Sequence, residues 1–168
     1  MKNIILIGFM GSGKTSVGNY IADGYAYKQI DTDAYIENKY GMKISDIFAG
    51  QGEAAFRQME TDTLKELLHI GDNCLISVGG GLPVKPENRK LLHELGYIVY
   101  LKAEVDTLVK RLEGDTGRPL LQGTDLRVRV TSLMDARKDI YEELADLIVN
   151  TDEKNLGEIA KEIMEGIQ

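Results

Sequence analysis

Asn3-Ile4-Ile5-Leu6-Ile7-Gly8-Phe9-Met10-Gly11-Ser12-Gly13-Lys14-Thr15 runs from an apolar strand into a glycine-rich turn and then into a helical pattern. The unbroken apolar run Ile4–Ile7 is the pattern of a strand covered on both faces. Gly8–Thr15 matches G-x-x-x-x-G-K-[ST] at every fixed position, between a strand and a helix as that motif requires. Glycines let successive backbone N–H groups turn inward around an anion, and the helix N-terminus adds its positive dipole end. The motif predicts a site for a nucleoside triphosphate and Mg²⁺. Lys14 would reach the β- and γ-phosphates, Thr15 would offer its hydroxyl to the metal, and Gly11, Ser12, Gly13 and Ser16 would complete the cradle. A plain Gly-rich turn with an exposed lysine is the alternative, and the context argues against it.

Beyond this stretch, apolar runs alternate with helical patterns, which predicts strand–helix–strand units and a parallel sheet. Strands are expected at Asn3–Ile7, Tyr27–Ile30, Cys74–Val78, Ile98–Leu101 and Leu147–Val149. Helices are expected at Thr15–Ala22 (stopped by Gly24), Ala34–Tyr40, a short piece capped by Ser45, Glu53–His69, Pro86–Glu94, Asp106–Glu113, Leu126–Glu143 and Leu156–Gly166. Gly114–Gly123 holds three Gly and one Pro in ten residues and reads as a mobile lid, about 112–124; a surface connection is the bland alternative. With no internal repeat or dividing linker, residues 1–168 are expected to form one five-stranded α/β domain.

Composition narrows the function classes. The chain has 168 residues with 20 Lys+Arg against 27 Asp+Glu, a net charge of −7, so a general nucleic-acid or anionic-membrane surface is not expected. One cysteine, Cys74, and two histidines, His69 and His93, leave no disulfide framework and no Cys/His metal cluster. No apolar stretch has the length of a membrane span or signal-peptide core, and a cytoplasmic protein is the default expectation. A GTPase switch would carry D-x-x-G and N-K-x-D, and neither occurs.

Three further features carry chemistry. Asp31-Thr32-Asp33 ends the second strand, where open α/β sheets place their ligands; if extended, both carboxylates face one crevice. One acid can support the metal and the other orient an acceptor hydroxyl, while a polar turn with Asp33 as helix cap is the alternative. The stripe Leu126, Val130, Leu133, Met134, Arg137, Tyr141 places Arg137 on an inward helix face, where a guanidinium needs an anion: a ligand or an internal partner. Arg57 starts the Glu53 helix with Glu60 three residues on, Arg118 sits in the lid, and Arg111 one turn before it is placed to stack on a base. Gly79-Gly80-Gly81, directly after a strand, offers close backbone approach to a small polar ligand.

GFMGSGKT at 8–15, DTD at 31–33, GEAAFR ending at Arg57, GGG at 79–81, GRPLL at 117–121 and R-x-x-x-Y at Arg137/Tyr141 stand in the order seen in shikimate kinases, and the chain resembles that family over essentially its whole length. The resemblance implies a five-stranded parallel sheet in the order 2-3-1-4-5 with helices on both faces. It also implies transfer of the γ-phosphoryl of ATP to the 3-hydroxyl of shikimate. By position, Asp33 resembles the residue that holds the shikimate hydroxyls and is the candidate base, and Asp31 the one that supports Mg²⁺. Arg57 and Arg137 match the carboxylate clamp, with Gly79, Gly80 and Gly81 beside it. Arg118 matches the lid arginine, Lys14 and Thr15 the phosphate-loop pair, and Arg111 the arginine beside adenine. A monomer acting on shikimate and ATP, with Mg²⁺, is implied. One departure falls at Asn150-Thr151-Asp152, where the family often places a basic residue.

Overall fold

A computed structural model of the chain describes residues 2–113 and 125–168. Five strands, β1 (Ile4–Ile7), β2 (Lys28–Asp31), β3 (Cys74–Ser77), β4 (Tyr97–Lys102) and β5 (Leu147–Asn150), form one parallel sheet in the order β2-β3-β1-β4-β5. β1 lies at its centre: Ile4 stands opposite Leu75 on one side and Tyr97 on the other. All four β1 residues are fully buried, as the unbroken apolar run requires.

Alternation along β1 divides the core. Ile5 and Ile7 face a cluster built with Leu64 and Leu67 of α4 (Glu53–Leu67), Leu92 of α5 (Pro86–Leu95), Leu108 of α6 (Val105–Leu112) and Tyr141 of α7 (Leu126–Leu144). Ile4 and Leu6 face Val17 and Ile21 of α1 (Lys14–Tyr25) and Ile159 and Ile163 of α8 (Leu156–Gly166). Helices therefore cover both faces of the sheet. A third, smaller cluster of Ile36, Ile47, Phe56 and Met59 ties α2 (Thr32–Tyr40) and α3 (Ile44–Gln51) to the start of α4.

Three local expectations are corrected. Gly24 does not stop the first helix, which runs to Tyr25 and turns off at Ala26 in the left-handed region (φ 60°). Asp31-Thr32-Asp33 is not extended, because Asp31 ends β2 and caps α2 by accepting the Ala34 N–H at 3.1 Å, while Asp33 lies in the first helical turn; Asp33 is therefore not the cap. Ser45 does not cap α3, whose Ile44 N–H is taken instead by the Glu37 carboxylate at 3.0 Å. The lid expected at about 112–124 lies, beyond Glu113, outside the described residues, and Arg118 with it.

Candidate active site

The turn between β1 and α1 uses its glycines conformationally. Gly11 and Gly13 hold φ of 82° and 96°, the left-handed region that other residues enter at a cost. A Cβ on Gly8 would come within 2.7 Å of the Leu101 carbonyl oxygen. Gly13 caps α1 without a side chain, and the first turn of the helix carries no acid, so its positive end is left for an anion. Lys14 donates to the carbonyls of Gly8 (2.7 Å) and Phe9 (3.0 Å), arched over the loop it serves. Met10 through Ser16 line one side of a cavity of about 1210 Å³. Arg111 joins them, its Nη1 donating to the Gly11 carbonyl at 3.0 Å.

Asp31, Asp33, Gly79 and Gly80 line the same cavity, so the ends of β2 and β3 meet the phosphate loop as sheet topology dictates. Thr32 fastens the two strand ends together: its buried hydroxyl accepts the Gly79 N–H at 3.1 Å. The absence of side chains at Gly79–Gly81 is what lets charged groups close in. A Cβ on Gly79 would lie 3.0 Å from Asp33 Oδ1 and 3.0 Å from Glu60 Oε2. One on Gly80 would lie 3.4 Å from Arg137 Nη1, and one on Gly81 2.6 Å from Arg57 Nη2. Arg57 of α4 and Arg137 of α7, 80 positions apart in sequence, thus converge on one turn.

The two guanidinium groups are supported differently. Arg57 is held by Glu60 at 2.7 Å and Glu53 at 3.1 Å. Burial works against its charge, but those two carboxylates outweigh it and raise its pKa. Arg137 is 5% exposed, lies 5.7 Å over the Phe9 ring, and its Nη1 has no hydrogen-bond partner among the described residues. Glu60 is fully buried, and its Oε2 is likewise unpartnered among the described residues. Burial, with Asp33 nearby, pushes its carboxyl up to about 7 against the pull of Arg57 and Arg137. Unpartnered buried donors and acceptors are costly, and here both stand against one glycine turn, Glu60 Oε2 beside Gly79 and Arg137 Nη1 beside Gly80, as a site for a small anion with hydroxyl groups would have them.

Of the candidate site residues, all but Arg118 either line the cavity or, as with Arg57, Gly81 and Arg137, stand at the glycine turn beside it. Several lining residues were not picked out, Lys154 among them, nor was the part played by Thr32, which is buried beside the cavity rather than lining it. Lys154 lines the nucleotide end with Thr151, Asn155 and Leu156, paired to Glu162 at 2.8 Å. The basic residue sought at Asn150–Asp152 stands two positions later; allowing for a turn after β5 would have found it. Thr32 carried no signal, because its role is to bridge two strands distant in sequence. Leu156, the first residue of α8, is 38% exposed at the cavity rim. Cys74 is a buried free thiol that packs as a small hydrophobe.

A nucleotide-type phosphate loop beside a glycine turn on which two guanidinium groups converge defines a P-loop kinase for a small acceptor. The sequence profile described as "Shikimate kinase" matches residues 10–168. A shikimate kinase of Symbiobacterium thermophilum is 39% identical over 168 residues, 99% of this chain and 96% of the relative, and one of Caldicellulosiruptor bescii is 42% identical over 152 residues, 90% and 87% of the two chains. The structure of a shikimate kinase from Acinetobacter baumannii in complex with shikimate superposes with a TM-score of 0.93 at 34% identity, covering 98% of this chain and 92% of that one. The chain belongs to the shikimate kinase family, which are ATP-dependent kinases.

Proposed function

We propose that the protein transfers the γ-phosphoryl group of ATP to the 3-hydroxyl of shikimate, giving shikimate 3-phosphate and ADP. The observation that carries this reading is the convergence of Arg57 and Arg137 on the Gly80–Gly81 turn, whose Gly79 and Gly80 line the phosphate-loop cavity. Two planar guanidinium groups suit the carboxylate of a small hydroxy acid such as shikimate. In this reading Asp33 orients the 3-hydroxyl and accepts its proton as the hydroxyl oxygen bonds to the γ-phosphorus. The bond from that phosphorus to the β–γ bridging oxygen breaks, and ADP leaves. Lys14 and the loop amides of Gly11–Ser16 hold the triphosphate in line, and Arg111 and Lys154 flank the base. Arg118 lies outside the described residues; its assignment to the transferring group rests on its place in the GRPLL motif.

Mg²⁺ fits the donor set. Thr15 and Asp31 line the cavity beside the loop, and Asp31 spends one oxygen on the Ala34 N–H and keeps the other. Such hard oxygen donors suit a hard cation shared with phosphate oxygens. Bound there, Mg²⁺ would neutralise charge on the β- and γ-phosphates. Residues 1–168 act as one kinase unit, with 32–60 as the acceptor segment. No helix among the described residues is long and apolar enough to cross a membrane, which supports a cytoplasmic enzyme, and we read it as a monomer.

ADP release measured with shikimate, quinate, gluconate and nucleoside monophosphates, with and without Mg²⁺, tests the assignment. Shikimate with Mg²⁺ should be the efficient combination. Comparable turnover with gluconate or a nucleoside monophosphate would overturn the acceptor.

A further inference from the structure

Tyr141 is fully buried on α7, one helical turn beyond Arg137. Its ring packs on Tyr100 of β4, with centroids 5.1 Å apart and planes at 44°. A core tyrosine needs one partner for its hydroxyl. This one engages two groups of the acceptor site: it donates to the carbonyl oxygen of Gly80 and is hydrogen-bonded by the side chain of Arg137. Burial pushes the phenol up to about 12 against the pull of Arg137, so the hydroxyl keeps its proton and remains a donor.

The partner in the turn matters. The Gly80 C=O and the Gly81 N–H belong to one planar trans peptide unit and point in opposite directions. Fixing the carbonyl against Tyr141 therefore fixes the Gly81 N–H away from it. Among the described residues, neither the Gly80 nor the Gly81 N–H has a hydrogen-bond partner. A peptide between two glycines is also the one most free to flip, since neither side has a Cβ to oppose it. A flip would exchange donor for acceptor and turn a carbonyl dipole toward an anion.

We propose that Tyr141 is a positioning residue for the acceptor's carboxylate, locking the Gly80–Gly81 peptide with its N–H available to that anion and bracing Arg137 beside it. The proposal rests on the carboxylate-clamp reading above and adds a residue that touches neither substrate. Because the clamp grips a group remote from the reacting hydroxyl, its loosening weakens ground state and transition state alike and shows in KM rather than kcat.

Tyr141→Phe keeps the ring on Tyr100 and removes only the hydroxyl. Steady-state kinetics of wild type and variant are compared with shikimate and with the analogue whose carboxylate is a primary alcohol. KM for shikimate should rise about tenfold or more, the worth of a misaligned charge-assisted bond. KM for ATP should stay within about twofold, and the alcohol analogue should scarcely distinguish the two proteins. An unchanged KM for shikimate, or an equal rise for both acceptors, overturns the proposal. If the variant does not fold, the Gly81 amide of the wild type is followed by NMR: its proton should move downfield with shikimate and not with the alcohol, and an unmoved resonance overturns the proposal. Wild type that releases no ADP with shikimate would remove the underlying acceptor assignment instead.

Discussion

Arg57 and Arg137 carry the same charge to the same turn, yet the protein treats them as opposites, one neutralised by Glu53 and Glu60 and the other left with an unpartnered Nη1. Glu60 stands between them as the group whose charge depends on pH. Its carboxyl titrates at about 7 in the fold against 4.5 as an ordinary side chain, with burial the main cause. The folded state therefore binds the proton more tightly than the unfolded chain, so stability falls as pH rises from 4.5 to about 7 and then levels off. A shift of that size corresponds to about 3 kcal/mol for a fully buried group. Glu60→Gln should match wild type near pH 5 and melt several degrees higher, about 4–10 °C, near pH 8. Melting curves that stay parallel across that range would show that Glu60 does not titrate there. Arg57 and Arg137 could be picked from the sequence because cations in apolar or helix-start positions look out of place. The high pKa of Glu60 could not, because it comes from enclosure by elements that meet only in the fold.

Helices and strands were legible where a local rule had no competitor. Pro86 begins α5 and the unbroken Ile4–Ile7 run is a central strand. Errors occurred at ends, where two residues can perform the same task. Asp31 rather than Asp33 caps α2, and Glu37, seven residues before α3, satisfies its first amide in place of Ser45. Gly24 looked like a helix stop because glycine favours that place, but the chain turns two residues later at Ala26, with φ of 60°. A left-handed alanine costs roughly 1–2 kcal/mol, and glycine returns most of it less its own unfolded-state entropy. Ala26→Gly should therefore stabilise the protein by about 0.5–1 kcal/mol, raising Tm by about 1–4 °C, without altering acceptor KM. A lower Tm would mean that contacts of the Ala26 methyl outweigh the backbone strain.

The order of the five strands was never in the periodicity of the chain. Alternating patterns announce a parallel sheet, but which strands adjoin depends on pairings such as Ile4 with Leu75, 71 positions apart, and only the family resemblance supplied them. Net charge misled in the same way: a molecule at −7 concentrates Lys14, Arg111 and Lys154 on one cavity and Arg57 and Arg137 on the glycine turn beside it, because the sheet's geometry gathers them at one edge. Arg137 keeps one contact, to Tyr141, but its buried Nη1 has no partner among the described residues, which costs the empty protein stability; on the clamp reading the acceptor's carboxylate would relieve that cost. Arg137→Met, of similar length and apolar against Phe9, should leave the Tm of the ligand-free protein at or above that of wild type, since it removes a buried guanidinium whose Nη1 finds no partner among the described residues. Wild type should gain about 2.7 kcal/mol from shikimate at a hundred times its Kd, and the variant nothing at the same concentration. Thermal unfolding with and without shikimate reads both effects. A variant less stable than wild type when empty, yet still stabilised by shikimate, would show that Arg137 is a structural cation and that the carboxylate is held elsewhere.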